Sequence, residues 1–126
     1  MHLAHTTLFA SDLERTRDFF TAYFDCAAGP LYHNKSTGFR SYFLTFPEGG
    51  QLELMAWDEV TPRPEGRFRG LDHIAIHVGS RPAVDALTAR LAQDGYPVVS
   101  PPRVTGDGYY ESCVLDSEGT RVEITG

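Results

Sequence analysis

The chain has few cysteines and no long apolar run, and each shortage excludes a class of protein. Its 126 residues include two cysteines, Cys26 and Cys113, which are too few for a disulfide scaffold and lie outside any metal-ligand or redox spacing. No apolar run approaches the roughly 18 residues of a membrane span, and no basic-then-apolar signal segment opens the sequence. We therefore expect a cytoplasmic protein that has no membrane partner.

The chain also lacks a basic excess. Lys and Arg number 11 against 17 Asp and Glu, which gives a formal net charge of −6 and argues against nucleic acid as a partner. The hydrophobic share of 41% is enough for a packed core. A length of 126 residues predicts a single domain spanning residues 1–126.

Two segments of the chain resemble each other, Leu3–Phe24 and Leu71–Leu91. Each begins with a short extended stretch that carries a histidine and continues into a pattern of helical apolar spacing. The first helix has a start signal at Ser11 with Glu14 three residues later, and the second at Ser80 followed by a proline. The chain therefore contains an internal repeat.

Three strand-like runs follow each predicted helix, so the repeating unit is βαβββ. The runs are Pro30–His33, Phe39–Phe46 and Gln51–Trp57 in the first module, and Tyr96–Ser100, Tyr109–Leu115 and Arg121–Thr125 in the second. The modules cover residues 1–57 and 71–126, and the stretch 58–70, rich in Pro and Gly, links them. We predict an α+β fold in which the modules form a partly open eight-stranded barrel.

Strand alternation separates an aliphatic face from a polar face in each module. The polar face carries His73 and Glu123 in the second module and Glu53 in the first, and the place of His5 in the repeat matches that of His73. A lone inward histidine is usually a core residue, but the same His and Glu recur at the same places in both modules. Two imidazoles and two carboxylates suit one divalent ion per site, which could be Zn, Ni, Co, Mn or Fe.

At these residues the sequence resembles the vicinal oxygen chelate superfamily, which includes glyoxalase I, bleomycin-resistance proteins, fosfomycin-resistance enzymes and extradiol dioxygenases. The resemblance covers nearly the whole chain. Its carriers are the runs HTTLFASDLERTRDFF, QLELM, LDHIAIHVGS, DGYYESCVLDSEG and RVEI. It implies paired βαβββ modules around a metal site, and the ligand set looks most like that of bacterial glyoxalase I.

The resemblance implies a metal centre formed by His5, Glu53, His73 and Glu123. It further implies a lyase or isomerase that acts on a small oxygenated substrate by stabilising an enolate or oxyanion. Glu123 is then the first candidate for the catalytic base and Glu53 the second. Extradiol dioxygenases and fosfomycin enzymes of the superfamily use two His and one Glu, so a fourth ligand at Glu53 favours the glyoxalase type.

The sequence departs from glutathione-dependent glyoxalase I at two positions. That family has an Arg four residues after its first metal His and an Asn four residues after its first metal Glu, and both contact glutathione. Phe9 and Trp57 occupy those positions here, so we expect an activity that does not depend on glutathione. Together with Met55, His77 and Tyr110, they are the predicted substrate-binding residues.

Two alternative functions remain open, and the resemblance also predicts an oligomeric state. The chain could be a binding protein that sequesters a small molecule, as bleomycin-resistance proteins do, although those proteins lack the metal ligands. The ion could also brace the fold without taking part in catalysis. Resemblance to the bacterial glyoxalase pattern favours a homodimer whose active sites lie at the interface.

Overall fold

The computed structural model describes residues 2–66 and 68–126 and has the expected α+β fold. The chain divides into two compact units, Met1–Pro62 and Arg63–Gly126, each with one helix and one sheet. The expected linker 58–70 is therefore divided between the units, and Met1 and Arg67 lie outside the described residues. Across the two described stretches, no helix is long and apolar enough to cross a bilayer.

The N-terminal unit is a mixed sheet with one crossover helix. Its elements are β1 (His5–Phe9), α1 (Leu13–Tyr23), β2 (Ala27–Ala28), β3 (Tyr32–His33), β4 (Arg40–Thr45) and β5 (Gln51–Ala56). The strand order is β1-β5-β4-β2, with β3 also paired to β4. Strands β1 and β5 are parallel, which requires a crossover, and β4 is antiparallel to β5.

Helix α1 covers the aliphatic face of this sheet. Alternation along β5 directs Leu52 and Leu54 to the helix side, where they are buried with Leu44. The helix contributes Phe19 and Phe20 to the same core. Its N-cap is Asp12, whose carboxylate accepts from the backbone N–H of Arg15, so the expected cap at Ser11 is wrong by one residue. Aspartate and serine cap equally well, and the carboxylate also complements the helix dipole.

The C-terminal unit repeats the arrangement with four strands. Its elements are β6 (His73–His77), α2 (Arg81–Gln93), β7 (Val98–Val104), β8 (Tyr110–Leu115) and β9 (Arg121–Thr125). The strand order is β6-β9-β8-β7, and β6 is parallel to β9. Helix α2 begins at the expected N-cap, Ser80, and buries Val84 and Leu91 against Val122 and Ile124.

Two strand predictions need correction. The run Pro30–His33 was expected as one strand, but only its end, Tyr32–His33, is a strand, β3. The described residues also contain a short strand that was not expected, β2 (Ala27–Ala28), which brings their total to nine strands. The run Tyr96–Ser100 was expected to end at Ser100, whereas β7 spans Val98–Val104 and continues through Pro101 and Pro102. It can do so because β7 is the edge of its sheet and its register shifts around the prolines. Within the described residues, neither sheet closes into a ring.

Candidate metal-binding faces

The N-terminal unit brings together His5 and Glu53 on the face of its sheet that α1 does not cover. In the parallel register, His5 lies opposite Gln51, and Glu53 lies opposite Thr7. The histidine and the glutamate therefore share a face, one step of the pleat apart. His5 Nε2 is 3.9 Å from Glu53 Oε2, and the imidazole ring meets the ring of Phe43 edge-on at 5.4 Å.

The C-terminal unit builds the same pair in the same way. His73 starts β6, and Glu123 lies on β9 opposite Ala75, so the two side chains again share the face away from the helix. His73 Nε2 is 3.1 Å from Glu123 Oε2. The glutamates are the more sheltered partners, with side chains 15% exposed at Glu53 and 19% at Glu123, against 43% and 38% for the histidines.

Asp72 adds a third group to the C-terminal pair. Its Oδ2 lies 3.0 Å from His73 Nδ1 and 3.6 Å from the Nε of Arg121. The hydrogen bond with His73 lowers the pKa of Asp72, and the positive charge of Arg121 lowers it further. Sequence reasoning missed this residue. The available signal was a break in the repeat, because Asp72 precedes His73 where Ala4 precedes His5.

The residue types of both pairs, and the spacing of the C-terminal pair, fit a divalent ion. Two donors that each lie about 2.1 Å from one ion are roughly 3.0 to 3.4 Å from each other. The His73–Glu123 separation of 3.1 Å lies in that range, and the His5–Glu53 separation of 3.9 Å exceeds it by about half an ångström. Within the described residues of either unit, no three His, Cys, Asp or Glu side chains form a group that could hold a metal ion.

The substrate-binding residues expected in the first module lie on the same face as His5 and Glu53. Phe9 pairs with Met55 in the register, two positions beyond Thr7 and Glu53, and its ring is 49% exposed. Trp57 follows the end of β5, is 50% exposed and meets Phe39 edge-on at 5.6 Å. Beyond Glu53, this sheet face therefore carries exposed apolar side chains.

The two residues expected in the second module lie on opposite faces. His77 pairs with Thr125 in the register, on the face of His73, and its Nδ1 is 3.4 Å from the Thr125 hydroxyl. Tyr110 lies on the helix side instead, where its hydroxyl donates to Asp85 at 2.7 Å and the Arg81 guanidinium lies over its ring. Tyr110 therefore does not share the sheet face of His73 and Glu123, because neighbouring residues of a strand face opposite sides.

The turn before β9 fixes where the strand that carries Glu123 begins. Asp116 accepts hydrogen bonds at Oδ1 from the backbone N–H groups of Glu118 and Thr120, at 2.9 and 2.7 Å. Gly119 has φ +80°, which a residue with a side chain rarely adopts. Burial raises the pKa of Asp116 despite these hydrogen bonds. This Asp-x-x-Gly turn is one of the motifs that carried the family resemblance.

The two cysteines do not offer an alternative nucleophile. Both are buried, and burial raises the pKa of Cys26 to about 11 and raises that of Cys113 as well. A thiol with a raised pKa is mostly protonated at neutral pH, and the thiolate is the reactive form. The histidine and glutamate pairs are therefore the groups best suited to chemistry.

Comparison with known proteins gives relatives over the full length of the chain. An uncharacterised protein of Bacillus subtilis, YqjT, is 31% identical over 125 residues, covering 95% of this chain and 94% of that protein. The trypanothione-dependent glyoxalase I of Leishmania major superposes with a TM-score of 0.78 at 23% identity, covering 100% of this chain and 86% of that one.

A fosfomycin resistance protein has the same fold. FosX of Listeria monocytogenes, in complex with Mn(II) and sulfate, superposes with a TM-score of 0.74 at 21% identity and covers 99% of this chain and 91% of its own. The sequence model of the glyoxalase/bleomycin resistance protein/dioxygenase superfamily matches residues 2–124. The repeated histidine and glutamate strands, the turn before β9 and these matches agree, and the chain belongs to the glyoxalase/bleomycin resistance protein/dioxygenase superfamily.

Proposed function

We propose that the protein is a metal-dependent lyase or isomerase of the glyoxalase I type that acts on a small oxygenated substrate. The observation that carries this proposal is the repeated pair, in which an edge-strand histidine directs Nε2 toward a sheltered glutamate in both units. Between them, His5, Glu53, His73 and Glu123 would supply two nitrogen and two oxygen donors. That donor set suits the borderline divalent metals better than calcium or magnesium.

The chain's own groups account for the proton transfer. A divalent ion at this site would polarise a substrate carbonyl and make the neighbouring C–H more acidic. Glu123 would then take the proton, because a carboxylate is a suitable general base and this one lies 3.1 Å from Nε2 of the candidate ligand His73. Glu53 is the second candidate, and a pair of carboxylates could accept a proton on one side of the substrate and return it on the other.

The surroundings of His5 support a substrate without a charged thiol carrier. Phe9 and Trp57 are exposed, apolar and on the ligand face of the N-terminal sheet. Neither can donate the charged or amide hydrogen bonds that the corresponding Arg and Asn give in the glutathione-dependent enzymes. The acyl or alkyl part of the substrate would pack on these rings, which favours apolar groups.

Metal titration tests the proposal most directly. Purified protein treated with a chelator would be titrated with Zn²⁺, Mn²⁺ and Co²⁺ by calorimetry, alongside E53Q, H73A and E123Q. We expect one ion for each set of four ligands in the wild type, and a loss of affinity of at least tenfold in each variant. The matched control is E59Q, which removes one exposed carboxylate on a loop of the same chain. Absence of tight binding in the wild type would contradict the proposal.

A second candidate function is sequestration of a small molecule. The observation that favours it is the row of exposed apolar side chains on the same sheet face, among them Phe9, Phe43 and Trp57. A binding protein would retain a ligand on those rings without needing the ion. Ligand binding that is equally tight in chelated protein and in E123Q would support sequestration and contradict the enzyme.

A further inference from the structure

The two histidines of the repeat differ in what holds their rings. His73 lies between two carboxylates, with Nε2 3.1 Å from Glu123 and Nδ1 3.0 Å from Asp72. His5 has one carboxylate, Glu53, at 3.9 Å, and the residue before it is Ala4, whose methyl group cannot accept a hydrogen bond. Within the described residues, His73 therefore has a carboxylate oxygen close to each ring nitrogen, whereas His5 has a carboxylate oxygen 3.9 Å from one ring nitrogen.

Two arginines hold Asp72 in place. Arg63 donates through Nη2 to the backbone carbonyl of Asp72 at 2.6 Å and to that of Leu71 at 3.4 Å. The Nε of Arg121, which lies opposite His73 in the β6–β9 register, is 3.6 Å from the Asp72 carboxylate. The Asp72 side chain is 60% exposed, so water would otherwise compete easily for its hydrogen bond with His73.

Resting on the function proposed above, we propose that Asp72 is a positioning residue for the metal site. As an acceptor, its carboxylate keeps a hydrogen on Nδ1 of His73, so that the lone pair of Nε2 points toward Glu123 and is free to bind the ion. An acceptor on the far nitrogen also makes the imidazole a better donor. The C-terminal pair is then the stronger half of the site, and the N-terminal pair is the weaker half.

Two substitutions at one position separate the hydrogen bond from the charge. D72A and D72N change the net charge equally, but asparagine keeps an oxygen that can accept from Nδ1. We expect D72A to lower Co²⁺ affinity about 10- to 100-fold, as loss of such a partner usually does, and D72N to lower it less. E65Q, which neutralises an exposed carboxylate of the same unit, is the control and should change affinity less than twofold.

The second readout is the Nδ1 proton itself. In the Co²⁺-loaded protein, the ring N–H of a ligand histidine gives a strongly shifted, solvent-exchangeable proton resonance. We expect the His73 proton to exchange slowly in the wild type, faster in D72N and fastest in D72A. The His5 proton serves as an internal reference and should exchange at the same rate in all three proteins. Thermal unfolding of each variant would show whether a loss of overall stability accompanies the difference.

The outcomes distinguish the two proposals. Tight Co²⁺ binding that is unchanged in D72A, or His73 exchange that is unchanged, overturns the role of Asp72 and leaves the metal site standing. An equal loss in D72A and D72N assigns the effect to charge alone and also overturns the hydrogen-bond role. Failure of the wild-type protein to bind Co²⁺ overturns the proposed function and the role of Asp72 with it.

Discussion

Asp116 shows how a single buried carboxylate can shape the pH dependence of folding. Burial raises its pKa above the ordinary value of 3.8, although two backbone N–H groups stabilise the charged form. A raised pKa in the folded state means that folding favours the protonated group. The stability that this group contributes is therefore fully present below pH 3.8 and is lost as pH rises through the folded-state pKa.

The variant D116N removes this titration while keeping one acceptor oxygen for the turn. We expect the free energy of unfolding of D116N to increase relative to that of the wild type as pH rises from 3.5 to 7. Urea unfolding of both proteins at pH 3.5, 5 and 7 measures the difference between their free energies of unfolding. The contributions of the other carboxylates, which both proteins share, cancel in this difference. A difference that stays constant or falls with pH would show that the backbone hydrogen bonds lower the pKa of Asp116 at least as much as burial raises it.

Phe9 and Trp57 set a second expectation at the scale of single residues. Both lie on the face of His5, and neither can replace the cation and amide that bind glutathione in the family. Protein whose metal content has been confirmed should therefore turn over the methylglyoxal–glutathione hemithioacetal at a rate close to background. Efficient turnover in that assay would mean that other groups hold glutathione, and this expectation would be wrong.

The contact between α2 and β8 is made by two buried hydroxyl groups as well as by aliphatic packing. Thr88 and Ser112 lie 2.6 Å apart, and the Thr88 hydroxyl is also 2.6 Å from the carbonyl oxygen of Val84. If Thr88 donates to that carbonyl, Ser112 donates to Thr88. Removing Thr88 then leaves the Ser112 hydroxyl buried without its acceptor, whereas removing Ser112 leaves the Thr88 donor satisfied.

A double-mutant cycle tests this asymmetry between helix and strand. We expect T88V to lower the free energy of unfolding by about 1 to 3 kcal/mol and S112A to lower it by roughly 1 kcal/mol. The double variant should cost less than the sum of the two, because it leaves no orphaned hydroxyl group. Additive losses in urea unfolding would indicate that the two hydroxyl groups do not depend on each other.

At the scale of elements, periodicity and punctuation were sufficient to predict both helices and six of the strands. They were insufficient at β7, where Pro101 and Pro102 looked like a strand end. Whether a proline is tolerated depends on whether its strand lies at an edge, and edge position is a property of the assembled sheet. The two short strands of the first module have a similar origin, since the unexpected β2 and the shortened β3 form where β4 offers partners.

The candidate site was predictable where the repeat is regular. Alternation predicts the positions of Glu53, His73 and Glu123, and the repeat adds His5. The structure places each His–Glu pair on one sheet face. The sheet face of Tyr110 was not predictable, because the register of β8 against β9 cannot be read from a single strand. Asp72 was missed because it precedes β6, where alternation no longer specifies direction.

At the scale of the whole molecule, we expect a homodimer whose sites are shared between chains. In such an assembly, each site would take His5 and Glu53 from one chain and His73 and Glu123 from the other. Twofold symmetry would then give two equivalent sites. Sedimentation that shows a monomer at micromolar concentration with metal still bound would contradict the shared arrangement.

Mixing two inactive variants tests the sharing directly. Chains carrying His5→Ala would be unfolded and refolded together with chains carrying Glu123→Ala. In the mixed dimer, shared sites would collect both defects at one site and none at the other, so about a quarter of all sites would regain a full ligand set, since half of randomly paired dimers are mixed. Sites contained within one chain would regain none, which metal content and activity would both reveal.

The two consecutive prolines of β7 also affect how readily the protein aggregates at high concentration. A strand at the margin of a sheet has free N–H and C=O groups that can pair with an extended segment of another chain, and such pairing starts aggregation. Pro101 and Pro102 have no N–H to offer, and the shifted register around them bends the strand away from a regular ladder. The margin at β7 therefore resists the growth of intermolecular sheet during synthesis and refolding, while β6, at the opposite margin, stays free to accept a partner strand.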